Sequence, residues 1–142
     1  MVAQPEETIP AVSPWMRGVL LMAAIYNLAW GIFIYNFPEA FYHWVTESTG
    51  DTPDIISYQG AGVLLSAVLY FVSALYPQKF WYFIIIGVLS KIFGPIWFYY
   101  DIMEQQVTKK FLFHFIMNDI AWVTPLGIIA YRSSQIKMHP NQ

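Results

Sequence analysis

Long apolar stretches alternate with short polar segments along the chain. Four of the stretches, at residues 18–38, 55–78, 80–100 and 111–131, are long, and the last two each contain a single charged residue. Because a helix rises about 1.5 Å per residue, each stretch is long enough to cross a hydrocarbon core of about 30 Å. The pattern therefore predicts an all-α, integral membrane protein with four transmembrane helices.

Prolines and capping residues mark the edges of the apolar stretches. Residues 13–14 (Ser-Pro) and 51–53 (Asp-Thr-Pro) are typical helix starts, and residues 76–77 (Tyr-Pro) are a typical stop. The leader before the first stretch carries Glu6 and Glu7 and no basic residue. We therefore expect the first span to be a retained helix and not a cleaved signal peptide.

Short connections between the stretches favour an up-down-up-down four-helix transmembrane bundle. We expect this domain at 16–131, between an N-terminal tail at 1–15 and a C-terminal tail at 132–142. The side that holds both tails has four basic residues, and the opposite side has two. By the positive-inside rule, both termini are expected in the cytoplasm.

A short segment between the first two spans has amphipathic character. Residues 38–45 are predicted to form an interfacial helix that lies flat on the outer surface. In that arrangement Phe41, Trp44 and Val45 contact lipid headgroups, whereas Glu39 and His43 face water.

Composition excludes several classes of function. Hydrophobic residues make up 57% of the chain and charged residues 11%, against about 25% charged in soluble proteins, so a soluble globular enzyme is excluded. The net charge of −2 gives no reason to expect a nucleic-acid partner. There are no cysteines, and the three histidines, His43, His114 and His139, fall in different segments. We therefore expect no disulfide, no metal site and no cofactor.

The two charged residues inside the spans are Lys91 and Asp119. At about 1.5 Å per residue, Asn27, Lys91 and Asp119 all lie about 15 to 18 Å from the cytoplasmic edge. This common depth predicts a buried polar cluster that also includes Asn118. One interpretation is a structural ion pair that sets helix register. The other is a functional site, since ionisable residues are costly in hydrocarbon and those found there commonly have a functional role.

Two prolines lie close to this predicted cluster. Pro95 cannot donate a hydrogen bond to the Lys91 carbonyl, and Pro125 likewise leaves the Ala121 carbonyl without its donor. Opened helices of this kind often line cavities in membrane proteins. The cluster and the deep tryptophans thus give a set of candidate ligand-binding residues: Asn27, Trp30, Lys91, Asn118, Asp119 and Trp122. Ordinary packing also explains the tryptophans.

Two further features allow alternative interpretations. His114 either passes protons from outside to Asp119 or is an interfacial histidine that is hydrogen-bonded to a loop. The second span carries mostly small residues that allow close helix approach, and Gly62 and Ser66 have the spacing of such a contact, so packing is the favoured role for the set: Gln59, Gly60, Gly62, Ser66 and Ser73.

Three motifs in the spans resemble those of a known group of proteins. They are YNLAWG at 26–31, KIFGP at 91–95 and NDIAWVTP at 118–125. Their order resembles a family of small four-helix bacterial membrane proteins of unestablished function and, more loosely, the DoxX-like proteins. The resemblance implies the four-helix fold and the bacterial cytoplasmic (inner) membrane. Some members carry an alkyl hydroperoxide reductase label, but that thiol chemistry requires a cysteine, which this chain lacks.

Three classes of function follow from these observations. The first is a protein that binds a small lipophilic or amphipathic ligand in a midplane pocket. The second is an accessory subunit with a membrane protein partner. The third is a membrane enzyme in which Asp119 is the acid/base and Lys91 its electrostatic partner, acting on a lipid or quinone-like substrate. In each case membrane lipid is an expected partner.

Overall fold

The computed structural model describes residues 12–138, and within that range the chain is helical with no strand. Four helices are long and apolar enough to cross a membrane, so the predicted four-helix fold is confirmed. The fourth of these spans is continuous but contains a π-helical turn, which divides it into three parts. The elements are α1 (Pro14–Asn36), α2 (Pro38–Thr46), α3 (Ile55–Leu75), α4 (Trp81–Asp101), α5 (Lys109–Phe115), the π turn (Ile116–Ile120) and α6 (Ala121–Met138).

Most of the predicted helix boundaries agree with the structure. Pro14 is the first residue of α1, and α3 ends at Leu75, directly before the predicted stop. The predicted start at 51–53 is wrong, because α3 begins at Ile55, after the N-cap residue Asp54. The last span also continues past residue 131, since α6 extends to Met138. The predicted tails at 1–11 and 139–142 lie outside the described residues.

Glycines bring α1 and α3 into close contact. A Cβ atom added to Gly60 would lie 2.5 Å from the backbone nitrogen of Tyr35, and one added to Gly31 would lie 2.8 Å from the Leu64 side chain. The predicted contact through Gly62 and Ser66 is wrong, because no atom lies within 4 Å of the Cβ position of Gly62. Close packing of α3 therefore uses the neighbouring helical face, and the face of Gly62 is left open.

The interior consists of two apolar clusters. The cluster nearer residues 12 and 138 includes Met16, Leu20, Ile84, Leu126 and Ile129, each at most 2% exposed. The other lies at the end that carries α2, and we call this end the α2 end. It is formed by Ile34, Phe41, Val45, Ile56, Phe98, Met103 and Phe111.

The short helix α2 forms as predicted, but its apolar face packs against the protein. Phe41 and Val45 are fully buried, so the prediction that they contact lipid headgroups is wrong. The reason is an aromatic surface on the neighbouring spans, where the Phe41 and Phe98 ring centroids are 6.1 Å apart. The Thr108 hydroxyl donates to the Val45 carbonyl at 2.7 Å. This bond fastens the end of α2 to the start of α5.

Candidate functional site

Lys91 is the centre of a buried polar layer between the two apolar clusters. Its Nζ donates to the Asn118 carbonyl at 2.7 Å and to Asn27 Oδ1 at 3.3 Å. The Asn118 side chain in turn donates through Nδ2 to Asp119 Oδ1 at 3.3 Å. All four residues are buried, at 2% to 7% exposure. The structure thus brings together the four polar residues that their common depth singled out.

Lys91 and Asp119 do not form a direct ion pair. Among the side chains of residues 12–136 the one ion pair joins Lys110 to Glu47, at 3.7 Å on the surface. Asn118 instead lies between the two ionisable groups, accepting from Lys91 with its main chain and donating to Asp119 with its side chain. The interpretation as a directly paired lysine and aspartate is therefore wrong for this structure.

The π turn explains how two adjacent residues both reach the interior. Asn118 and Asp119 lie within it, and the wider turn, with hydrogen bonds five residues apart, lets both be buried at 7% exposure. The Ala121 N–H donates to the Ile116 carbonyl, so the Met117 carbonyl loses its usual α-helical donor. The Trp122 indole supplies one instead, at 3.1 Å. π turns of this kind occur frequently at functional sites.

Both prolines lie inside helices that continue through them. Pro95 is within α4 and Pro125 is within α6. Because proline has no N–H, each leaves a carbonyl four residues earlier without a main-chain donor. Pro95 also lines the cavity described next.

A cavity of about 360 Å³ lies directly against the polar layer. It is enclosed by α3, α4 and the first half of the fourth span, and it extends from the polar layer toward the α2 end. Its floor is polar and its walls are largely aromatic or aliphatic. The principal lining residues are Asn27, Tyr58, Gln59, Gly62, Ser66, Ser90, Lys91, Gly94, Trp97, Phe98, Phe111, His114, Asn118 and Asp119.

The cavity opens sideways between α3 and α4. No atom lies within 4 Å of the Cβ positions of Gly62 and Gly94, which border it on the two helices. Tyr58, on the same wall, is 71% exposed. Tyr58 lies near the start of α3, whereas Gly62 and Gly94 are exposed positions further inside their spans, where exposed residues face lipid, so the opening faces the hydrocarbon. The Ser66 and Ser90 hydroxyls nearby donate to carbonyls of their own helices, so neither needs water.

His114 lies in an aromatic enclosure above the polar layer. The Trp30 ring centroid is 4.7 Å from that of His114, and the rings of Phe41 and Trp44 follow at 5.3 Å and 6.2 Å. His114 is 8% exposed, and its Nδ1 has no hydrogen-bond partner within residues 12–138. The interpretation as a histidine bonded to a loop is therefore wrong, whereas the proton path stays a prediction.

The predicted ligand-binding residues fall into two groups. Asn27, Lys91, Asn118 and Asp119 line the cavity, whereas Trp30 and Trp122 do not. Trp30 packs on His114 as described. Trp122 lies beyond the floor, where its ring is 5.6 Å from that of Tyr26 and contacts the apolar cluster near residues 12 and 138.

Sequence reasoning missed the wall that α3 contributes. Gln59, Gly62 and Ser66 all line the cavity, and the Gln59 Oε1 atom is buried without a partner. Their spacing of three and then four residues is the signal that was available, because it places small and polar residues on one helical face. That face was assigned to packing.

No group of three or more His, Cys, Asp or Glu side chains within residues 12–138 is placed to hold a metal ion. Comparison with protein-family models, with curated proteins and with solved structures finds no match to the chain. The geometry of the cavity therefore provides the basis for a functional assignment.

Proposed function

We propose that this membrane protein binds a small amphipathic molecule in the cavity between α3, α4 and the fourth span. The observation that carries the proposal is Asn118, a residue that lines the 360 Å³ cavity and whose Oδ1 atom is a buried acceptor without a partner. Ligand cavities typically measure about 300 to 1,000 Å³ and combine apolar walls with a few polar groups. The cavity has both properties.

The unpaired acceptor supports binding over a purely structural role. Leaving a buried polar atom without a hydrogen bond costs about 1–3 kcal/mol. Three of the seven such atoms among the described side chains belong to residues that line the cavity, and for Asn118 a bound molecule supplies the missing donor. Gln59 Oε1 on the opposite wall lacks a partner in the same way.

The sideways opening indicates where the molecule comes from. A ligand that enters between Gly62 and Gly94 comes from the bilayer and needs an apolar portion to partition there. We propose the bacterial cytoplasmic membrane, with both termini inside, as its setting, which rests on the motif resemblance and the positive-inside rule.

The test uses two matched glycine substitutions. Gly62→Leu places a bulky side chain at the opening, whereas Gly127→Leu does the same at a position that is equally open but remote from the cavity. Native mass spectrometry of each purified protein then detects small molecules that were retained from the host membrane. We expect the unmodified protein and Gly127→Leu to retain a molecule that Gly62→Leu lacks. Equal retention by all three proteins would refute the proposal.

A second candidate is acid–base catalysis on the bound molecule. The specific observation is that Asp119 and Lys91 line one cavity without pairing directly, so both groups are available to a ligand. In that case Asp119→Asn should retain a molecule of different mass from the unmodified protein, because the substrate is no longer converted. An identical retained molecule in both proteins would favour binding alone. A role as an accessory subunit stays a prediction, which co-purification of a stoichiometric membrane protein would support.

A further inference from the structure

We infer that the head group of the ligand is uncharged and carries a hydroxyl, as in a long-chain or isoprenoid alcohol. This inference rests on the proposed function and narrows it to one chemical class of ligand. Three features of the floor support it: the orientation of the Asn118 amide, the charge balance of the polar layer, and the number of protons that Lys91 has available.

The Asn118 amide orientation follows from its neighbour. Nδ2 lies 3.3 Å from Asp119 Oδ1 and donates to it, so the amide nitrogen faces the carboxyl group. The other amide atom, Oδ1, therefore has no partner among residues 12–138, while Asn118 itself is 93% buried and lines the cavity. An acceptor of this kind requires a donor on the ligand.

Lys91 supplies the complementary group. An ammonium has three protons, and the structure gives Lys91 two acceptors, the Asn118 carbonyl and Asn27 Oδ1. One proton of Lys91 thus remains without a hydrogen-bond acceptor, in the same polar layer as the unpaired Asn118 oxygen, and the ammonium lies 5.9 Å from the centroid of the Tyr70 ring. A hydroxyl donates one hydrogen bond and accepts others, so a single hydroxyl satisfies both groups.

The charge balance of the floor excludes an ionic head group. Besides His114, whose ring is enclosed by aromatic rings, the basic and acidic residues that line the cavity are one lysine, Lys91, and one acid, Asp119, and each is buried. An added phosphate, carboxylate or quaternary ammonium would therefore be an uncompensated charge at membrane depth, which is strongly unfavourable. Anionic phospholipid headgroups fail this test, whereas a neutral alcohol passes it.

The walls determine the rest of the ligand. Phe98, Phe111 and Trp97 provide apolar surface, and the opening beside Gly62 and Gly94 lets a tail extend into the bilayer. A cavity of 360 Å³ accommodates the head group and the first part of such a tail. The ligand is thus held by its hydroxyl in the protein and by its tail in the lipid.

The experiment compares four photoreactive probes in proteoliposomes. Each has the same ten-carbon chain with a diazirine, and its head is a hydroxyl, a methyl, a carboxylate or a trimethylammonium group. Peptide mass spectrometry measures labelling at the cavity, on 55–66 and 90–98, relative to the lipid-facing residues Met22 and Ile25. We expect the alcohol to label the cavity about two- to tenfold more than the methyl-terminated probe, which corresponds to one net hydrogen bond.

A pair of asparagine variants tests the contact itself. Asn118→Leu removes Oδ1 and should reduce alcohol labelling to the level of the methyl-terminated probe. Asn36→Leu is the matched control, because Asn36 is exposed and bonded to the Ile32 carbonyl, away from the cavity. If Asn118→Leu does not fold, the four-probe series on the unmodified chain still decides the question.

The possible outcomes separate this inference from the proposed function. Equal cavity labelling by all four probes, or a preference for either ionic head, would overturn the hydroxyl inference and leave binding in the cavity intact. Absence of cavity labelling with every probe would contradict the proposed function itself. Preferential labelling by the alcohol that Asn118→Leu abolishes would support both.

Discussion

Two glycines on α3, two residues apart and therefore on different faces of the helix, should respond in opposite ways to the same substitution. Gly60 faces α1, and Gly62 faces the cavity. We predict that Gly60→Ala destabilises the protein and that Gly62→Ala leaves its stability unchanged or raises it. Because the two changes share one helix and one chemistry, they differ only in what the added methyl group meets.

The magnitude follows from the spacing of the helices. The new Cβ at Gly60 would lie 2.5 Å from the Tyr35 nitrogen and 2.8 Å from its Cα, whereas ordinary contact begins at 3.4 Å. Helices α1 and α3 must therefore separate by about 0.9 Å, and overpacking of this kind costs about 1–3 kcal/mol. At Gly62 no atom is within 4 Å, so replacing a helical glycine by alanine gains about 0.5–1 kcal/mol. Because Gly60→Ala gains the same helix propensity, that gain cancels, and the two variants should differ by about 1 to 3 kcal/mol in free energy of unfolding.

Thermal unfolding of both variants in one detergent provides the assay. For a chain of this length, the difference in free energy corresponds to about 2 to 12 °C between the melting temperatures. Gly127→Ala serves as a further control, because its Cβ position is also open. Equal melting temperatures for the Gly60 and Gly62 variants would refute the assignment of the two faces of α3.

Three other predictions follow from the polar layer and the topology. Lys91→Met should lower the free energy of unfolding by about 3–5 kcal/mol. Adding Asp119→Leu should restore only part of that loss, because the shortest hydrogen bond of Lys91 is to a main-chain carbonyl. Complete rescue in a double-mutant cycle of melting temperatures would contradict this prediction. Trp122→Phe should cost about 0.5–1.5 kcal/mol by leaving the π-turn carbonyl unpaired, whereas Trp97→Phe, which loses no hydrogen bond formed within residues 12–138, should be neutral in the same assay. Reporters fused after residue 142 should read as cytoplasmic and reporters inserted at 47–54 as external; the reverse would overturn the orientation.

The fold was largely predictable because membrane spans are encoded locally. Each span needs enough consecutive apolar residues, and prolines such as Pro14 and Pro77 mark its ends, so no knowledge of tertiary contacts is required. The burial of α2 was not predictable in the same way. Its apolar residue Phe41 fits a lipid headgroup layer as well as it fits a protein surface, and the choice depends on Phe98, which is distant in sequence.

The depth of the candidate-site residues in the membrane could be predicted from the sequence, but the rotation of the helices about their axes could not. Counting residues along each span brought Asn27, Lys91 and Asp119 to one level, and the structure places them in one layer. Which face of α3 borders the cavity depends on how that helix is rotated against α1, and residue counting does not determine this. The π turn was also missed, although the adjacent polar pair at 118–119 inside an apolar span was its signal.

The contact between Asn27 and Lys91 has a consequence for how the chain is made. Helix α4 leaves the ribosome before the π turn that carries the Asn118 carbonyl, so its lysine enters the bilayer without its shortest bond. A lysine at the centre of a span costs about 2.5 to 3.5 kcal/mol during translocon insertion. Helix α1 is already synthesised at that moment, and Asn27 offers Lys91 an oxygen within the membrane. We therefore expect the first span to stabilise the third in the bilayer until the fourth span has been inserted.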